Sequence, residues 1–214
     1  MSSQIGFSKT VQWATAIYLL ILGAYLILSN HGDFVLWLNG HNTPFLDFFF
    51  KYWTYLGDGV LLGIVGLYFL LTSYFKFNVF MVAVVLQTIF VHIFKQWLFN
   101  NEPRPKSFFQ DQLDLLHFVD GVAVRGYNAF PSGHTASAFV LAFYLILITK
   151  NKALQIFYLV AAILVGFSRV YILQHFGRDI FFGSIFGILA VVIAWELMKK
   201  YENKESWQKG LLKR

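Results

Sequence analysis

Residues 131–149 read PSGHTASAFVLAFYLILIT, a proline, a hydroxyl, a glycine and an imidazole at the head of an unbroken apolar run. The run approaches the ~20 residues that carry a helix across ~30 Å of hydrocarbon. A polar cluster therefore stands where a membrane helix would begin. Pro131 just before that start leaves the N–H groups of Ser132 and Gly133 free to face an anion, aided by the helix dipole. Gly133 permits close backbone approach, and Ser132 offers either its hydroxyl or a plain N-cap.

Five more apolar stretches accompany it, at about Val11–Ser29, Gly59–Tyr74, Phe77–Phe99, Ala153–Ile172 and Ile180–Met198. The expected fold is all-α and polytopic, with six transmembrane helices in a single domain over residues 1–214. The aromatic segment Phe34–Leu56 is predicted to be an interfacial amphipathic helix between the first two spans, with Trp37, Tyr52, Trp53 and Tyr55 at headgroup depth. Composition agrees: 57% of the 214 residues are hydrophobic and 13% charged, against about 25% charged in soluble domains. Mean hydropathy is +0.59. The first run is too long for a signal h-region and no small-residue cleavage site follows, so it is expected to remain as an anchor. The chain has no cysteine, which removes disulfides, thiol nucleophiles and thiolate metal sites.

Cations set the expected topology. Lys9, Lys76, Lys150, Lys152 and the tail group Lys199, Lys200, Lys204, Lys209, Lys213 and Arg214 fall on one side. Lys51, Lys95, Arg104, Lys106, Arg125, Arg169 and Arg178 fall on the other, with most of the acids. Both termini are thus expected in the cytoplasm, residues 199–214 forming a basic tail. The net charge of +6 resides largely in that tail and reads as snorkelling and orientation, with no nucleic-acid partner.

This alternation places Arg104 after the third span, Ser132 to His134 at the start of the fourth, Arg169 at the end of the fifth, and His175 and Asp179 just before the sixth. All fall on one membrane face, predicted extracytoplasmic. Two imidazoles, a carboxylate, guanidiniums and free backbone N–H groups suit the grip and cleavage of a phosphate ester. The same cations would repel a metal ion, so no metal and no cofactor is expected. The polar stretch Asn100 to Asn128 is too long for a turn and is either a lid over the site or an extramembrane connector. His31, His41, His92 and His117 match no motif and read as interfacial or packing residues; Gly183 and Gly187 form a small-xxx-small step suited to helix packing, with a monomer favoured.

Arg104-Pro105, Pro131-Ser132-Gly133-His134 and Ser168-Arg169 with His175 and Asp179 resemble the three-part signature of the type 2 phosphatidic acid phosphatase superfamily. The likeness extends from about Pro44 to Gly187, with Leu56-Gly57-Asp58 a weaker echo. It implies an integral membrane lipid phosphatase, metal-independent, of bacterial inner-membrane type. It implies His175 as nucleophile forming a phosphohistidine, Asp179 as its orienting partner and His134 as general acid and then base. Lys95, Arg104, Ser132, Gly133 and Arg169 would bind the phosphate. One departure stands out: Lys95 lies two residues farther from Arg104 than the family pattern has it, so either the chain bulges before Pro103 or Lys95 only snorkels. Phosphatidic acid, phosphatidylglycerophosphate, undecaprenyl pyrophosphate and lipid A phosphates are the implied substrates. A phosphotransferase using an alcohol acceptor and a non-enzymatic lipid binder or transporter are the rivals.

Overall fold

In the computed structural model, which describes residues 6–212, the regular secondary structure is helical; Lys213 and Arg214 of the basic tail lie outside the described residues. The order is α1 (Lys9–Leu28), α2 (Asp33–Gly40), α3 (Pro44–Trp53) with a 3-10 turn (Thr54–Gly57), and α4 (Gly59–Thr72). Then come α5 (Tyr74–Ile93) with a π-helical turn (Phe94–Leu98), α6 (Pro105–Phe108), α7 (Gly133–Ile148), α8 (Lys152–Tyr171), α9 (Gly177–Met198) and α10 (Glu205–Gln208). No strand occurs among the described residues, only an isolated bridge between Pro103 and Tyr127.

Short polar side chains start the apolar helices where backbone N–H groups would otherwise lack acceptors. Ser8 accepts from Val11, Asp58 from Val60, Ser73 from Lys76, and Asn151 from Ala153 and Leu154. Lys9–Leu28, Tyr74–Leu98, Lys152–Tyr171 and Gly177–Tyr201 are each long and apolar enough to cross a membrane. Pro44–Gly57 and Gly59–Thr72 meet at a bend of 47° and form a fifth such unit if taken as one broken span. α7 is apolar but only 16 residues long. Length and apolarity thus account for four or five of the six expected spans. The predicted interfacial segment is not one helix: Gly40 and Pro44 divide it into α2 and α3, and the turn at Thr54–Gly57 carries the chain into α4.

α7 sits at the centre, packed by α8 and α9, with α5 along α9 and α1, α2 and α3 along α8. Helices already in lipid gain little from the hydrophobic effect, so close packing of small residues must hold them. Gly183 and Gly187 of α9 meet this need: a Cβ added at 183 would lie 2.7 Å from the Ser132 carbonyl oxygen, and one at 187 would lie 2.5 Å from that of Ala136. Phe139, Phe143 and Tyr144 are buried in this core, with the Tyr144 hydroxyl donating to the Lys76 carbonyl at 2.7 Å. The tail folds back on the α4–α5 corner, where Leu211 and Leu212 donate to the carbonyls of Leu70 and Leu71.

Candidate active site

The signature residues converge because four helix ends meet. The π-helical end of α5, the start of α7, the end of α8 and the link into α9 surround a cavity of about 450 Å³. Its lining includes Lys95, Arg104, Gly133, His134, Arg169 and His175. Lys51 from α3, Thr54 and Tyr55 from the turn before α4, Gly121, Val122, Ala123 and Arg125 from the long connection, and Ile172 and Gln174 from the link after α8 complete it.

His175 occupies the short link between α8 and α9. The Arg169 carbonyl closes α8 by accepting from the N–H groups of Gln174 and His175. Leu173 takes φ 60°, costly for a branched side chain, and complete burial against Val170, Phe176 and Ile180 holds it there. Asp179 Oδ2 accepts the Phe176 N–H at 2.8 Å and lies 3.4 Å from His175 Nδ1, so one carboxylate both fixes the start of α9 and faces the imidazole. Nε2 is the ring nitrogen left for chemistry. Burial, reinforced by Arg104, Lys95, Arg169 and His134, holds the His175 pKa well below the usual 6.5, so the ring is neutral at pH 7.

His134 stands at the second position of α7, its Nε2 3.8 Å from Asp58 Oδ2. The two catalytic candidates are linked through backbone, since the Ser132 N–H donates to the Asp179 carbonyl at 3.0 Å. That bond corrects the expectation for Ser132, whose N–H is committed rather than free. Its Oγ accepts from Thr135 Oγ1 at 2.8 Å and from the Thr135 N–H, and Ser132 is fully buried outside the cavity lining as the N-cap of α7. The N–H groups of Gly133 and His134 carry no hydrogen bond among the described residues.

Arg104 also departs from expectation. Its Nε donates to the Tyr127 carbonyl, Nη1 to the carbonyl and side chain of Gln174, and Nη2 to the Asn128 carbonyl. Buried carbonyls of an irregular loop must find donors, and this guanidinium supplies them, leaving one of its five N–H groups instead of a free fork. Arg169 is less committed: Nη1 donates to Thr54 Oγ1 at 2.8 Å, and Nε has no partner among the described residues. Lys95 lines the cavity because α5 ends in a π-helical turn, whose extra residue per turn re-aims the side chain. The bulge lies at Lys95 itself, ahead of the position expected near Pro103.

The connection between α5 and α7 is a folded roof, not a loose linker. Phe109, Leu116 and Val119 are buried against the helices. Asn39 bonds the Tyr171 and His117 backbones, His117 Nε2 lies 2.9 Å from Asp47, and Lys51 donates to the Asp120 carbonyl at 2.6 Å. Glu102 pairs with Arg178 at 2.5 Å. In the sequence Lys51, Arg125 and Arg178 carry no signal beyond their charge, and Asp58 none beyond the Leu56-Gly57-Asp58 motif.

The chain matches the model of the PAP2 superfamily over residues 76–202. It is 31% identical over 160 residues to a lipid A 4'-phosphatase of Bacteroides thetaiotaomicron, covering 72% of this chain and 70% of that protein. A lipid A 4'-phosphatase of Porphyromonas gingivalis is 31% identical over 170 residues, covering 76% and 70%. The crystal structure of Aquifex aeolicus LpxE superposes with a TM-score of 0.68 at 27% identity, covering 78% of this chain and 94% of that one. The fold is also that of the transmembrane PAP2 type phosphatidylglycerolphosphate phosphatase from Bacillus subtilis, with a TM-score of 0.63, 23% identity and coverage of 89% and 96%. Motif, architecture and the match across more than half its length together make this chain a member of the PAP2 superfamily.

Proposed function

We propose that this membrane protein hydrolyses a lipid phosphate through a phosphohistidine, with a lipid A type phosphate as its leading substrate. The observation that carries the proposal is the placement of His175 and His134 on one cation-lined cavity. The names of the two lipid A 4'-phosphatase relatives support the choice of substrate.

In this mechanism the phosphoryl oxygens sit among Arg169, Lys95, the remaining N–H of Arg104 and the N–H groups that open α7. Neutral His175 attacks phosphorus through Nε2, forming a P–N bond as the P–O bond to the lipid breaks. Asp179 faces Nδ1 and stabilises the charge that develops on the ring. Beside Asp58 and the negative charge of the bound phosphate, His134 takes up a proton and gives it to the departing alkoxide. It then takes a proton from water as that water attacks phosphorus, and P–N cleavage releases phosphate and restores His175. The cationic lining favours the anion over a divalent metal, so the reaction is proposed to need none.

Six crossings are proposed, with both termini cytoplasmic and the cavity opening on the opposite face. α7 spans about 24 Å at 1.5 Å per residue, less than the ~30 Å hydrocarbon core. His134 therefore sits near the headgroup boundary, the depth of a lipid phosphate. The test is phosphate release in detergent from lipid A, phosphatidate, phosphatidylglycerophosphate and undecaprenyl pyrophosphate, with chelator present. His175→Ala should abolish release by at least about 10³-fold while the protein stays folded. Undiminished release by that variant, or loss of native activity on adding chelator, would contradict the mechanism.

A further inference from the structure

Just below the catalytic cavity, the helices that carry His134 and Arg169 enclose a second hollow of about 220 Å³ whose lining side chains are aliphatic and aromatic. On α7 the line from His134 continues through Ala138, Leu141, Ala142 and Leu145, the spacing of one helix face. On α8 the line from Arg169 continues through Val165, Ala162, Tyr158 and Phe157 in the same way. The two hollows share no lining residue but flank one turn: Thr54 and Tyr55 line the catalytic cavity, Trp53 and Leu56 the apolar one, and Gly57 packs between them against the His134 carbonyl and Val165. The Trp53 indole N–H donates to the Ala161 carbonyl at 3.1 Å, which fixes this rim to α8.

Length and width both suit a hydrocarbon chain. The groove runs about 10 Å along α7 from Ala138 to Leu145, and its far end lies about 16 Å from His134, close to half of the ~30 Å hydrocarbon core, or the depth of one leaflet. Alanines at 138, 142, 161 and 162 leave the space, and exposed Phe157 marks the far end. Another apolar hollow, between α1, α2 and α8, lacks this continuity: Phe167 lines it, two residues before Arg169 and so on nearly the opposite side of α8.

We infer that the groove between α7 and α8 seats one hydrocarbon tail of the substrate lipid and sets the tail preference of the enzyme. The inference rests on the lipid phosphatase function proposed above. A tail already in the bilayer gains little by exchanging lipid for alanine and leucine. The groove therefore acts by orientation, holding the phosphorus in line with His175 when the tail lies between the two helices.

Two measurements test this. With dioleoyl and dihexanoyl phosphatidate at equal surface dilution in detergent, Ala161→Leu narrows the groove and should lower the long-to-short ratio of kcat/KM by roughly tenfold. An unchanged ratio in an active variant would overturn the groove while leaving the phosphatase function intact. Absence of hydrolysis of every lipid phosphate by the native enzyme would instead overturn the function. Independently of turnover and of how Ala161→Leu folds, phosphatidate bearing a diazirine near the end of one tail is photolysed in the His175→Ala protein. Label on Leu145, Phe157 or Tyr158 supports the groove. Label spread over α1 and α4, or confined to a cross-link between two copies of the chain, contradicts it.

Discussion

The bundle α7–α8–α9 and the outer helices α1 and α4 are equally apolar to the eye, yet they solve different problems. In the hydrophobic windows of α8 and α9, 44% of residues are buried, against 17% in α1. α7 buries both faces, its small residues pressed on α9 glycines. The outer helices need only be greasy, whereas the inner ones must hold His134, Arg169, His175 and Asp179 in fixed register. The family match at residues 76–202 covers α7–α9 and leaves out α1 and α4.

The largest effect is expected at a glycine of the inner bundle. Gly187→Val drives a side chain into the Ala136 carbonyl and Phe139 Cβ; it should cost about 2–3 kcal/mol in detergent unfolding, with activity lost as α7 shifts. Asp58→Asn keeps the helix cap but removes the carboxylate beside His134, so kcat should fall roughly tenfold with KM little changed. The pH dependence of stability gives a smaller effect of definite sign. The folded pKa of His175 lies below 6.5, so the unfolded chain binds the proton first as pH falls. Its contribution to stability is full above about pH 6.5 and is lost on acidification below it. Unfolding midpoints measured from pH 7.5 to about 5 should drop more for the native protein than for His175→Phe. Gly63→Ala closes the series: on α4 the added methyl meets nothing within 4 Å, and helix propensity should raise stability by up to ~1 kcal/mol.

Convergence of the signature fragments was legible in sequence because Arg104, His134, Arg169 and His175 all fall at the ends of apolar runs, and those ends line one cavity. The small-residue step of α9 was legible for the same reason, since glycine spacing on a helix maps directly onto a packing face. What sequence could not reveal were partners supplied by distant backbone. The Asp179 carbonyl that takes the Ser132 N–H, and the roof carbonyls that occupy Arg104, depend on where the α5–α7 connection folds. The π-helical turn that turns Lys95 inward has no periodic signal in five residues. The division of residues 34–56 into α2, α3 and a turn was visible at Gly40 and Pro44, but aromatic density suggested one interfacial helix.

The central claim is that His175 bonds covalently to phosphorus inside the cavity it shares with His134. Rapid acid-free quenching of the native enzyme with lipid labelled in the phosphate should trap alkali-stable label on the peptide containing His175, absent from His175→Ala and chased by water. Phosphate released at the native rate with no label on the protein, or label persisting in His175→Ala, would contradict it.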